Sequence, residues 1–247
     1  MSKILVEYQK RLRKRRIQAD DLTTLVAKAT PDNLKFDAVG KIKPFYGLTC
    51  IAWVEQGSQL HRDLCDFQNA IKKKLQEAGV GDVFSFLKPE SFHMTICDIN
   101  ASSSPIPSQE IRYYTQQIQN AFTQIEKSEN INAQVRGVGL STTITALVDF
   151  ESEIELRKVL DLEQKIKQST QVNVRNFAGH ISLAYCVNSS TEKIKTSQEL
   201  LFPNKDKVFG EFSFSKFDLT YFVDMNHFKP LLTVDVKNGQ VIQHEQS

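Results

Sequence analysis

Two short stretches of the sequence combine an imidazole with a hydroxyl at a fixed spacing. Ser91-Phe92-His93-Met94-Thr95-Ile96-Cys97 and Gly179-His180-Ile181-Ser182-Leu183-Ala184-Tyr185 each place a histidine two positions before a Thr or Ser inside an alternating apolar run. Successive strand residues face opposite sides, so His93 and Thr95 share one face while Phe92, Met94 and Ile96 take the other, and His180 and Ser182 likewise stand apart from Ile181, Leu183 and Tyr185. Imidazole titrates near neutrality and serves as acid or base. Two imidazoles facing one another could take a proton on one side of a substrate and give one on the other. A hydroxyl beside each is placed to donate a hydrogen bond to the same substrate.

The spacing alone is a weak pattern, and the competing reading is a pair of core histidines bonded to nearby backbone. What lifts it is context: both copies fall in apolar strands, at comparable places in two similar half-chains, 87 positions apart. None of His61, His227 and His244 has a hydroxyl residue two places on. Each motif is also preceded by a cation at the same offset, Lys88 and Arg175, five residues upstream. These are candidates to hold phosphate, against the alternative that they are exposed turn cations. Tyr46, Phe92 and Phe177 are candidates for stacking on a base, with core packing as their alternative fate.

The elements that must carry these residues read as a mixed α+β protein with mainly antiparallel strands. Strands are expected over residues 47–55, 83–87, 91–99 and 177–187, a hairpin over 134–138 and 143–150, and a second over 211–224 and 228–236. Helical periodicity covers 58–78, 109–127, 151–168 and 191–200. The second half repeats the order of the first, which predicts two lobes. The chain divides into a basic helical arm and connector (1–43), the bilobal body (44–236) and a polar tail (237–247) expected to fray.

Paired motifs of this form resemble the 2H phosphoesterase superfamily, which includes bacterial RNA-ligase-like proteins, plant and yeast cyclic nucleotide phosphodiesterases and a U6 RNA-trimming exonuclease. Residues 40–54 further resemble a mostly microbial branch that carries an N-terminal extension before its first strand. The resemblance implies a bilobal fold of two mainly antiparallel sheets flanked by helices. It places His93, Thr95, His180 and Ser182 across a central cleft as the catalytic set, with no cofactor and no metal. A nucleotide or an RNA end is the implied substrate. A nucleotide- or RNA-end-binding module without catalysis is the alternative, because fold and motif do not fix a reaction.

Composition bounds the rest. With 247 residues, 40% hydrophobic and 24% charged, the chain is long and apolar enough for a sizeable core, which excludes disorder and disulfide scaffolds. Net charge is +2, from 31 Lys+Arg and 29 Asp+Glu, so the molecule is not a basic body that wraps long polyanions. The charge is uneven: residues 1–50 hold 11 cations and five acids, a net +6, which leaves the remainder at −4. Its densest run, Lys10-Arg11-Leu12-Arg13-Lys14-Arg15-Arg16, shares a helical pattern with Ile4, Leu5, Tyr8 and Leu12. That arm reads as a patch for RNA, an anionic surface or an acidic protein partner, or as a solvated helix docked by its apolar stripe.

Cys50, Cys65, Cys97 and Cys186 lie far apart without a C-x-x-C pair, which reads as free thiols in a reducing compartment. Arg136-Gly137-Val138-Gly139 lacks a phosphate-loop fingerprint and reads as a turn. With no apolar span and no signal-like start, the expected location is the cytoplasm.

Overall fold

The computed structural model describes residues 2–17, 32–37, 39–174, 176–188 and 190–245. Its first helix, α1 (Lys3–Arg15), starts at Ser2, whose hydroxyl accepts from the Leu5 amide, and buries Leu5, Tyr8 and Leu12 on one stripe. β1 (Tyr46–Trp53) leads to α2 (Gln59–Glu77), capped by Ser58, then to the short β2 (Phe84–Phe86) and to β3 (His93–Ser102). α3 (Ser108–Phe122), β4 (Ile131–Leu140), β5 (Thr143–Asp149), α4 (Glu153–Thr170) and β6 (His180–Cys186) follow. The chain ends with α5 (Thr191–Leu201), β7 (Val208–Phe214), β8 (Lys216–Asp224), β9 (His227–Asp235) and β10 (Gln240–Gln243). Among the described residues no helix is long and apolar enough to cross a membrane.

The strands are antiparallel and run in the order β10-β9-β8-β1-β3-β6-β5-β4-β7, with β2 paired to β6 off that path. Where two sheets are expected from the sequence, the strands form one ten-stranded sheet, whose two antiparallel halves meet between β3 and β6 at one paired position, Met94 opposite Ile181. β2 takes the same edge of β6 at residues 184–186 and ends the ladder on one side. Gln68 of α2, itself buried, donates to the carbonyls of Leu87 and Leu183 at 2.9 Å each and ties the end of β2 to β6. On the other side β3 runs on to Ser102 past the start of β6 at His180, so the two strands share no further rung and the halves part into a cleft.

Helices bury the opposite face. Leu48, Cys50 and Ala52 of β1 and Met94 and Ile96 of β3 join Leu64 and Ile71 of α2, Ile118 of α3 and Val159 of α4 in one apolar cluster. Two sequence expectations change. The run 211–224 is not one strand: it breaks at Ser215, where β7 leaves the β4 edge and β8 enters beside β1 and β9. The buried positions shift with it, from Phe212 and Phe214 before the break to Phe217 and Leu219 after it. The polar tail does not simply fray, since residues 240–243 pair with β9 as an edge strand.

The arm is part of the structure. α1 lies on β5 and α4, and the Tyr8 hydroxyl donates to the Val148 carbonyl at 2.6 Å. Gly179 makes room for it: a Cβ there would stand 2.3 Å from the Tyr8 hydroxyl and 3.0 Å from the Val148 carbonyl. Beyond the helix, the Ile17 amide donates to the Val138 carbonyl. Tyr8→Phe would leave that buried Val148 oxygen unpaired and is expected to lower the unfolding free energy by about 1–3 kcal/mol in a denaturant titration. An unchanged midpoint would show that the arm is not seated this way.

Candidate active site

The Met94–Ile181 pair fixes the register of both motifs. The residues flanking this rung set His93 across from Ser182 and Thr95 across from His180, so the two histidines stand on a diagonal, about 7–8 Å between their backbone positions. All four residues line a cleft of about 1150 Å³. Each imidazole is held in the same way. Nδ1 of His93 lies 2.7 Å from the Ser91 carbonyl and Nδ1 of His180 lies 2.5 Å from the Ala178 carbonyl, in each case two residues upstream. A carbonyl only accepts, so Nδ1 carries the hydrogen and Nε2 is left as the basic nitrogen.

Their surroundings differ. His93 sits between the ring of Trp53, its cross-strand partner, at 5.8 Å and that of Phe228 at 4.7 Å, both edge-on. Trp53 is in turn fixed by its indole N–H, which donates to Asp218 at 2.7 Å, while Thr233 donates to the other carboxylate oxygen at 2.6 Å. Burial therefore lowers the His93 pKa to about 4, with the Ser91 carbonyl opposing and His180 adding to the shift. His180 is also lowered by burial; the Ala178 carbonyl and Asp98 oppose this, and the cations Arg15 and Lys35 reinforce it. The Arg15 guanidinium comes within 3.2 Å of His180 Nδ1 and 3.5 Å of the Ala178 carbonyl.

Of the other expected site residues that are described, Phe177 alone lines the same cleft. Lys88 points elsewhere: its amide donates to Asn226 and its ammonium lies 3.5 Å from His227, so it braces the β8–β9 turn and does not line the cleft. Arg175 lies outside the described residues. Tyr46 shares the helix-facing side of β1 with Leu48 and Cys50 and packs beside Tyr221, because alternation turns its side chain away from the cleft. Phe177 lines the cleft but is almost fully buried and stacked on Tyr8 at 6.1 Å. Phe92 is also core, against His61. Sequence reasoning missed Trp53 and Phe228, which reach His93 across the sheet with no local pattern to mark them. It also missed Arg15, hidden in a run of cations, and Lys35, which lies over the Phe45 and Tyr185 rings and pairs with Asp32 at 3.2 Å.

Residues 35–141 match the model of a 2H-phosphodiesterase family described as a domain of unknown function (DUF1868). The match contains the His93 motif and ends before the His180 motif. Among solved structures, a conserved protein of unknown function from Agrobacterium tumefaciens str. C58 is similar over 87% of this chain and 98% of its own, at 17% identity and a TM-score of 0.61. LigT of E. coli, crystallised with NADP+, is similar over 78% of this chain and 99% of its own, at 10% identity and a TM-score of 0.53. The fold is shared with LigT. A structure titled as a phosphoesterase, at 10% identity and a TM-score of 0.51, covers 77% of this chain and 97% of its own. No curated protein sequence matches. Within this fold the second motif is thus supplied here by geometry, through β6, where the family match has already stopped.

The depressed His93 pKa has a consequence for stability. An unfolded chain takes up a proton at this residue near pH 6.5 and the folded chain resists until about 4, so between those values the unfolded state binds more protons. Stability is expected to fall as pH drops through this window, by at most about 3 kcal/mol from this group. His93→Gln should flatten that part of the profile in urea titrations at pH 4–7. The same slope in the variant would contradict the buried, neutral imidazole.

Proposed function

We propose that the chain is a metal-independent phosphodiesterase that opens a 2′,3′-cyclic phosphate, or a related phosphodiester, of a nucleotide or RNA end. The observation that carries this reading is the four-residue set around Met94 and Ile181, in which two imidazoles with Nδ1 tied to backbone face one cleft across a diagonal that one phosphate spans. LigT has been crystallised with NADP+, with 3′-AMP, with ATP and with phosphate, which supports a nucleotide or phosphate ligand for this fold.

In the reaction, one neutral imidazole takes a proton from water through Nε2 as the water oxygen bonds to phosphorus. The opposite imidazole, as imidazolium, gives its Nε2 proton to the ribose oxygen as the P–O bond of the ring breaks. The product is a phosphomonoester with a free neighbouring hydroxyl, and the two histidines have exchanged protonation states. Thr95 and Ser182, each across from an imidazole, donate to the non-bridging oxygens. Both histidines are held below their ordinary pKa in the empty cleft, and the phosphodiester anion is what favours the imidazolium.

His93→Ala and His180→Ala are each expected to lower kcat/KM on adenosine 2′,3′-cyclic phosphate by about 10²–10⁴-fold, as loss of a general acid or base does. Turnover is expected to persist in EDTA. Because both pKa values are depressed, the bell-shaped kcat/KM profile should peak below pH 6.5 and decline as pH rises and the acid loses its proton. Wild-type rates in either variant would overturn the mechanism. Binding of 3′-AMP without turnover on any cyclic phosphodiester would leave a binding module.

A further inference from the structure

We propose that the last turn of α1 is a wall of the substrate cleft that binds a second phosphate, one beyond the phosphate held between the histidines. This rests on the reading of the cleft as a phosphodiester site. Arg11, Lys14 and Arg15 fall at helical i, i+3 and i+4 positions, which places them on one face, with Arg11 and Arg15 one turn or about 5–6 Å apart. All three line the cleft together with His180 and Ser182, whereas Lys10 and Arg13 of the same run do not. Among the described residues the cleft wall carries five cations, with Arg16 and Lys35, against two carboxylates, Asp32 and Asp98.

Two of those cations already have carboxylate partners: Arg16 meets Asp206 at 2.8 Å and Lys35 meets Asp32 at 3.2 Å. Of the rest, Arg11, which lies over the Tyr8 ring at 5.7 Å, and Lys14 are exposed on α1 and line the cleft with His180. Cations at a helix C-terminus complement its dipole wherever they point. Here the helix is held so that they face the cleft. Tyr8 is locked to Val148 over Gly179, and Gly139 takes the backbone just past the helix, where a Cβ would meet the Arg15 carbonyl at 2.9 Å. A solvated basic helix needs no such seat. That four of the six cations of the run line the cleft fits a small polyanion entering beside His180, not a flat surface.

The ligand chemistry is a nucleotide with two phosphates, and the second is either a terminal 5′-phosphoryl group or an internucleotide phosphate of RNA. Calorimetric titration of the full chain with 3′-AMP, adenosine 3′,5′-bisphosphate and the dinucleotide ApAp separates these sources and needs no turnover. The native chain is expected to bind at least one of the two-phosphate ligands about tenfold more tightly than 3′-AMP, the scale of one or two charge-assisted contacts to phosphate. That preference should shrink with added salt and disappear in Arg11→Ala/Lys14→Ala, while Arg11→Lys/Lys14→Arg restores it. A gain for the bisphosphate alone identifies a 5′-phosphoryl group, and a gain for ApAp alone identifies RNA. Equal affinity for all three ligands, or a preference that survives the double alanine variant, would overturn the inference and leave the phosphodiester reading standing. Failure of all three to bind would remove both.

Discussion

The pairing of Met94 with Ile181 is the position at which the two halves of the sheet share a ladder, and its register decides what the cleft contains. Side chains alternate along a strand, so one rung of contact sends Met94 and Ile181 into the helix-covered core and both motifs to the other face. A slip by one residue would bury the imidazoles and expose the apolar side. The rung is protected against extension as well as slippage. β2 occupies β6 beyond residue 184, and Gln68 holds that occupation by bonding two carbonyls from inside the core. A longer β3–β6 ladder would close the sheet over the space that a phosphate needs. The cleft thus opens where β3 runs on past the start of β6 at His180, while β2 closes the other end of that edge.

The two motifs are alike in sequence and backbone bonding, and unlike in what surrounds them. His93 is enclosed by the edges of Trp53 and Phe228, with Trp53 locked to the buried carboxylate of Asp218. His180 stands beside cations, with Arg15 within hydrogen-bonding distance and Lys35 close enough to shift it. Apolar enclosure and like charge both oppose protonation, by different routes, and only the second responds to an anion or to salt. Burial is the main cause at both histidines, and at His180 a bound phosphate additionally screens cations that are already there. It changes His93 by bringing a charge into an apolar enclosure. Environments that treat a pair of titratable groups unequally are the ordinary way in which acid and base roles are divided.

Much of this was legible because the core obeys simple periodicities. The apolar stripe Leu60, Leu64, Phe67, Ile71 and Leu75 marks α2, and the alternation around His93 and His180 marks β3 and β6 and places the imidazoles away from the core. The offset that singled out Lys88 did not place it in the cleft, since position along a chain says little once a turn intervenes. Pro89–Ser91 forms a 3₁₀ turn, and Lys88 is drawn to Asn226 instead. Aromatic content could not separate Phe228, which walls His93, from Phe177, which is buried against Tyr8, because both are phenylalanines in apolar runs and only the tertiary partner differs. The role of the arm was hidden for a similar reason. A basic helix looks the same whether its charges face solvent or a cleft, and the glycines that seat it, Gly139 and Gly179, lie more than 120 residues away.

The central claim is that His93 and His180 flank one phosphate from opposite sides, which a crystal structure with uridine 2′,3′-cyclic vanadate tests most directly. The account predicts a trigonal-bipyramidal vanadate in the cleft, with Nε2 of each histidine within hydrogen-bonding distance of opposite apical oxygens and the Thr95 and Ser182 hydroxyls on the equatorial ones. A vanadate bound away from the cleft, or one touched by a single imidazole while the other stays in contact with protein alone, would contradict it.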